Sequence, residues 1–163
     1  MTQFLKLLAI FAITTPFPIS AEAKETYIPI LVPITGFLSL EGTAQRNGAI
    51  QALDEAPRNL KIKYEVSDTS TSPEVAVTAL QRALSRGKPV AIAAPIFGTQ
   101  MLAMLPIAKR AGVSLITVSG TAKLTELDNP FIFRFFPGDA VVKVAHARYV
   151  TEVLRAKRPA LLY

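Results

Sequence analysis

The chain has 163 residues, half of them hydrophobic, with 18 Lys and Arg against 12 Asp and Glu, one histidine and no cysteine. That composition excludes disulfides, a thiol nucleophile, a thiol for lipid attachment and a zinc site of the ordinary ligand type. The net charge of +6 raises nucleic acid as a partner. The basic residues are dispersed at helical spacing, however, from Arg82, Arg86 and Lys88 through Lys109 and Arg110 to Lys143, Arg148, Arg155, Lys157 and Arg158. They read as solvated faces, with no nucleic-acid partner.

Lys6, the apolar run Leu7 to Phe17 and the small residues of Ser20-Ala21-Glu22-Ala23 have the anatomy of a secretory signal peptide cut after Ala23. Pro16 and Pro18 interrupt the run, and it falls short of the roughly 20 apolar residues that a membrane crossing needs. The expected product is soluble and periplasmic. Residues 24–163 then form one domain, with 17 basic and 11 acidic residues, large enough to hold a core without staples.

The run Tyr27 to Pro33 predicts a strand that begins at Ile30, because Pro29 cannot donate to a central ladder. Thr43 to Ala56 carries a small apolar face at helical spacing and stops at Pro57. Lys61 to Val66 alternates charged and apolar side chains, as a half-buried strand does. Ser72-Pro73-Glu74 opens the next helix with a capping hydroxyl, a proline at the first helical position and an acid in the first turn. Gly87 closes it. Pro89 to Ala94 predicts a strand, Gln100 to Ala111 a helix closed by Gly112, and Val113 to Val118 another strand. Gly120 to Pro137 is neither cleanly helix nor strand. Gly138 to Ala156 predicts a long helix, and Ala160 to Tyr163 a last strand.

This alternation predicts an α/β fold: a three-layer αβα lobe with a parallel sheet of order 2-1-3-4-5, and Ala160–Tyr163 at one edge. The main buried positions are expected to include Leu31, Val32, Ile62, Tyr64, Ala91, Ile92, Leu115 and Ile116 in the strands. Leu53, Leu80, Leu84, Leu105 and Val150 join them from the helices.

Ligands of open α/β sheets sit beyond the carboxyl ends of the strands, beside helix N-termini. Four segments rich in Gly, Ser and Thr arrive there: 33–42, 67–72, 95–99 and 119–125. Gly98-Thr99 stands at the mouth of a helix whose free N–H groups favour a carboxylate. Ser119-Gly120-Thr121 places two hydroxyls about a flexible residue. Together they predict a small-molecule cleft. The catalytic inventory is poor: His146 lies mid-helix, the carboxylates of Glu41, Asp68 and Asp139 are scattered, and no P-loop or dinucleotide fingerprint occurs. The expectation is binding without catalysis, cofactor or metal.

Several stretches in fixed order resemble the periplasmic solute-binding proteins of the leucine/isoleucine/valine-binding type, which serve ABC importers. They are Ile30-Leu31-Val32-Pro33-Ile34-Thr35-Gly36 followed by Gly42 and Asn47-Gly48-Ala49, then Asp68 to Ala76, Pro95 to Thr99, Ser119 to Thr125, and Asn129-Pro130-Phe131-Ile132-Phe133-Arg134 with Pro137-Gly138-Asp139. The resemblance implies a periplasmic-binding-protein type 1 fold of two Rossmann-like lobes, of which this chain is the first, cut before the second. It implies that Phe97, Gly98 and Thr99, with Ser119, Gly120 and Thr121, hold the charged ends of an amino acid. Leu40 and Glu41 border its side-chain pocket, and an ABC permease in the inner membrane is the partner. Leu40 or Glu41 stands near a position that the family often fills with an aromatic residue, and Phe97 stands where it commonly has a small hydroxyl residue; these departures leave an amide, a small organic acid or an aromatic acid open as the ligand. A ligand-sensing or regulatory module of the same fold is the alternative function; a nucleotide-dependent α/β enzyme is the more remote one.

Mass spectrometry of the exported product is expected to find Lys24 at its N-terminus; a product beginning at Met1 would refute the signal-peptide reading.

Overall fold

A computed structural model describes residues 25–160. The elements run β1 (Thr26–Val32), α1 (Ser39–Asp54), β2 (Ile62–Asp68), α2 (Pro73–Arg86), β3 (Ala91–Ala93), α3 (Gly98–Ala111), β4 (Ser114–Thr117), a 3₁₀ turn (Ala122–Thr125), β5 (Ile132–Arg134) and α4 (Asp139–Arg148), which runs on into a π-helical turn (Tyr149–Val153). All strand pairs are parallel, and the order is β2-β1-β3-β4-β5. The signal-peptide residues and Leu161–Tyr163 lie outside the described residues.

One face of the sheet carries the main core. Leu31, Ile92 and Leu115 pack there against Ala76, Ala79, Leu80 and Ala83 of α2 and Met101, Met104, Leu105 and Ala108 of α3. The alanines recur on one side of α2 and let the two helices approach closely, while the longer α3 side chains fill the space beneath. Successive strand residues face opposite ways, so Ile30 and Val32, both fully buried, turn to the other face, where α1 packs on β1. Farther along that face the cover ends: Ile116 is 39% exposed and Phe133 49%.

The ends of the helices follow from local chemistry. The Ser72 hydroxyl caps α2 by accepting from the Val75 N–H at 3.3 Å, with Pro73 at the first helical position. Gly112 takes the left-handed conformation (φ +63°) that terminates α3, after Lys109 and Arg110 have placed positive charge against the helix C-terminus. The dispersed basic residues from Arg82 to Arg158 named above are all exposed, as solvated faces require.

The structure corrects several expectations. Pro29 sits inside β1. The Thr26 N–H and the Val32 carbonyl bond toward β2, so the odd positions, Pro29 among them, turn toward β3, where the ladder is a single pair, Ile30 with Ala93. The missing N–H therefore removes no bond from the long β1–β2 ladder. Helix α1 begins four residues before the expected Thr43: the Gly42 N–H donates to the Leu38 carbonyl at 2.9 Å, and Gly42 passes so close to Pro33 that a Cβ would collide with its carbonyl. The fifth strand is Ile132–Arg134, within the segment expected to be irregular; its register against β4 pairs Leu115 with Ile132 and Thr117 with Arg134. Ile116 is not buried, because among the described residues no helix covers that face of β4. Val150 is only half-buried and α4 has no buried residue. Ile62, Tyr64, Ala91, Leu53 and Leu84 are half-buried.

Two neighbouring residues of β4 test this division of faces. Leu115→Ala is expected to cost about 3 kcal/mol in urea denaturation, as a fully buried leucine does. Ile116→Ala should cost under about 1 kcal/mol, and equal losses would show that the second face is also closed.

Candidate functional site

The carboxyl ends of β1 to β4 send four loops to one edge of the sheet, and Asp68, the last residue of β2, ties two of them together. Its Oδ1 accepts from the N–H groups of Ile34 (2.8 Å), Thr35 (3.2 Å) and Ser70 (2.8 Å). Its Oδ2 accepts from the hydroxyls of Thr35 (2.6 Å) and Ser70 (3.2 Å). Partial burial alone would push the carboxyl up, but the hydrogen bonds from Thr35, Ser70 and Ile34 outweigh it and hold the pKa down at about 2.

Ser70 and Thr71 both adopt left-handed backbone, at φ +47° and +54°, a conformation that costs roughly 1–2 kcal/mol for a residue with a Cβ. The bonds of this turn offset that cost. The Ser70 N–H is one of the Asp68 donors. The Thr71 hydroxyl donates to the Thr35 carbonyl at 3.0 Å and accepts from the Leu38 N–H at 3.4 Å. Gly36 lies between, at φ +89°, and a Cβ there would stand 2.5 Å from Thr71 Oγ1. The β1–α1 loop is thus seated on the β2–α2 turn on both sides of Phe37.

A second polar network brings in α3. Gln100 is fully buried, and its Nε2 donates to the carbonyls of Thr69 (2.8 Å) and Ser72 (3.1 Å), while the Thr69 hydroxyl donates to its Oε1 (3.3 Å). This pins the first turn of α3 against the β2–α2 turn. On the other side, Gly98 packs against the Thr121 side chain so tightly that a Cβ would overlap its hydroxyl. The Thr117 hydroxyl donates to the Pro95 carbonyl at 2.7 Å and accepts from the Ser119 N–H at 3.0 Å.

Of the expected ligand residues, Phe97, Gly98, Thr121 and Ser119 come together as one wall. Thr99 is exposed in the first turn of α3. Ser119 is buried, and its hydroxyl donates to Thr121 at 3.4 Å, so it supports the wall from behind. Gly120 lies against the Asp139 carboxylate, and the Asp139 N–H donates to its carbonyl at 2.6 Å, anchoring the start of α4. Leu40 and Glu41 stand apart on the first turn of α1. Leu40 is 79% exposed, and Glu41 borders an apolar groove of about 550 Å³ between α1 and the open sheet face, lined also by Ala44, Ile116 and Phe135. A larger cavity of about 860 Å³ lies at the opposite, amino end of the strands, lined by Tyr27, Lys63 and Arg86 among others. It has no helix N-terminus, and its Arg86 is already paired with Glu65, so the loop edge, with the N-terminus of α3, is the stronger candidate.

Sequence reasoning did not single out Phe37. Its ring is 74% exposed and meets Phe97 edge to face, with centroids 5.3 Å apart and planes at 87°. An aromatic residue beside a loop glycine was the available signal. Arg134 is half-buried and donates to the Thr121 carbonyl at 3.1 Å and the Thr125 hydroxyl at 3.3 Å, so it braces the fourth loop. Among the described residues no group of histidine, aspartate or glutamate is placed to hold a metal ion.

A profile of the periplasmic binding protein family matches residues 25–163. No curated protein matches the chain. Among solved structures, a leucine-binding protein LivK from Thermotoga maritima superposes with a TM-score of 0.76 at 27% identity, over 82% of this chain and 39% of its own. The branched-chain amino acid transporter substrate-binding protein LivJ from Streptococcus pneumoniae, in complex with isoleucine, gives 0.74 at 25% identity, over 82% of this chain and 40% of its own. A solute-binding protein of an ABC transporter from Rhodopseudomonas palustris, in complex with 3,4-dihydroxybenzoic acid, gives 0.61 at 25% identity, over 68% and 31%. The chain therefore spans about two fifths of the length of the first two of these.

Asp68→Asn is expected to lower stability at neutral pH by about 2 kcal/mol, within the range for hydrogen bonds to a charged group. The folded pKa is depressed, so the carboxylate's contribution is present above the unfolded value near 4 and lost as pH falls through about 2. The gap in thermal midpoint between wild type and variant should stay constant from pH 7 to about 5 and close below 4; a gap independent of pH would show that the charge is not what holds the loops.

Proposed function

This chain belongs to the periplasmic binding protein family, a family of solute-binding proteins and not of enzymes, and from that premise we propose that it is the first lobe of an extracytoplasmic substrate-binding component of an ABC importer. In this reading a signal peptide ends at Ala23, residues 24–163 form the lobe, and a second lobe follows. An amino acid or similar small polar solute is held between the two, against Phe97, Gly98, Thr99, Ser119, Gly120 and Thr121, with Leu40 and Glu41 at the border. The loaded protein is then presented to an inner-membrane permease.

The observation that carries the reading is the loop edge itself. Four loops converge on the N-terminus of α3, and the N-cap residue there, Phe97, offers no side-chain acceptor to its first amides, which leaves them for a ligand's carboxylate. Two of the structural relatives are in complex with isoleucine and with 3,4-dihydroxybenzoic acid, both small solutes with a carboxylate. The exposed apolar residues of the last helix and its π turn, Val141, Val144, Val153 and Leu154, fit a lobe that packs against further structure. Among the described residues no helix is long and apolar enough to cross a membrane. Closure of two lobes on the solute shifts a population and needs no chemistry.

Half a site should bind weakly, because the opposite wall supplies both contacts and the exclusion of water. Calorimetry on residues 24–163 with a panel of amino acids and small amides is expected to show nothing tighter than about 1 mM, equivalent to about −4 kcal/mol. A product carrying the second lobe should bind at least one solute at micromolar or better, and Thr121→Ala in it should weaken that binding by about 1–3 kcal/mol. Micromolar binding by residues 24–163 alone would overturn the two-lobed account.

A further inference from the structure

We propose that the site selects a solute with an aromatic ring, and that Phe37 and Phe97 are the residues that determine this. The inference rests on the reading of the loop edge as a solute site and names the class of solute.

Phe37 is a large apolar ring left 74% exposed on a loop that is otherwise firmly held. Its preceding residue, Gly36, is locked against Thr71, and its following residue, Leu38, donates its N–H to the Thr71 hydroxyl. An exposed ring on a loose loop would call for no account, whereas a ring held out from a loop clamped on both sides is displayed. Phe97 comes from a different loop, at the N-cap of α3, and its backbone is fixed by Gly98 seated on Thr121. The two rings meet edge to face at 5.3 Å, a geometry in which the positive edge of one ring meets the negative face of the other. Half-buried Phe97 and exposed Phe37 thus form an aromatic corner adjoining the Gly98–Thr121 wall, most of the Phe37 ring being open to solvent.

The chemistry favours a flat ring over a branched aliphatic group. An aliphatic side chain gains only the apolar area that it covers, and any leucine or valine in these positions would serve it. A ligand ring gains that area and also the quadrupole contacts of a third ring against two that are already oriented, a gain on the order of tenfold in affinity. Because the rings are preorganised, little ordering cost is set against it. Aromatic carboxylates of the benzoate kind and aromatic amino acids share this chemistry, and the presence of an ammonium separates them.

The test uses the complete native gene product, purified after export and titrated calorimetrically with 4-hydroxybenzoate, phenylalanine, tyrosine, isoleucine, leucine and glutamine. At least one of the three aromatic solutes is expected to bind ten times more tightly or better than isoleucine and leucine, and the benzoate and amino-acid arms identify which kind it is. Phe37→Leu, at an exposed position, should leave the thermal midpoint unchanged and reduce the aromatic-to-isoleucine ratio about tenfold. Phe97→Leu gives a second reading of the same ratio. Isoleucine, leucine or glutamine binding as tightly as the best aromatic solute, or a ratio unmoved in both variants, overturns the inference while the solute-binding reading stands. A folded product that binds none of the six overturns both.

Discussion

The carboxylate of Asp68 accepts five hydrogen bonds from two loops, and the geometry of the whole loop edge depends on this one group. A parallel sheet delivers its strand ends to one edge but does not say how the chains leaving them should run. Asp68 settles this for the first two loops. It draws Ile34 and Thr35 onto the turn that follows β2, and that turn is held in left-handed backbone which Ser70 and Thr71 would not adopt alone. The same turn then offers the carbonyls of Thr69 and Ser72 to Gln100, which positions α3. Thr121 meets α3 at Gly98 and carries the constraint to the fourth loop, where Arg134 holds the Thr121 carbonyl. The chain of contacts starts at a charge and ends about a glycine. Apart from the packing of Gly98 on Thr121, each step is a polar group that finds its partner.

The fold was legible wherever a local rule agreed with the tertiary one. Ser72-Pro73 announced α2, Gly112 announced the end of α3, and the alternation of strand and helix announced a parallel sheet. Legibility failed where the deciding contact was distant. Pro29 reads as a strand breaker until it is known that its side of β1 faces a ladder of one pair. The first amides of α1 are met by the carbonyls of Gly36 and Leu38 in the preceding loop, and nothing in the helical periodicity encodes that. Ile132–Arg134 is three residues long and lies among phenylalanines that blur any alternation, so its pairing with β4 was invisible without the neighbour. Ile116 has the apolar character of a core residue, and it is exposed because no helix among the described residues lies over its face.

The candidate site was legible as a set of loops and less so as a set of roles. Gly, Ser and Thr at four strand ends located the edge, and Gly98 and Thr121 do meet there. Residue type alone could not show that Ser119 faces inward, that Asp68 spends both oxygens on backbone and hydroxyl donors, or that Phe37 is held outward against Phe97. Each of these depends on which of two nearly equivalent directions a side chain takes, and that choice is made by a partner more than twenty residues away or by packing from behind.

Rigidity at this edge bears on how a two-lobed protein would use it. If the loops were mobile, a ligand would have to order them on binding, and each immobilised side chain would subtract from affinity. Here the first, second and third loops are bound to one another through Asp68, Thr71 and Gln100, and the fourth is bound to the third through Gly98 and Thr121. Such an edge moves as a unit. In the proposed two-lobed protein, conformational change would therefore belong to the relation between the lobes and not to this edge. The left-handed turn at Ser70 and Thr71 is the local cost of this arrangement, and it is tolerable because the Asp68 carboxyl, with its pKa held down at about 2, remains charged at neutral pH.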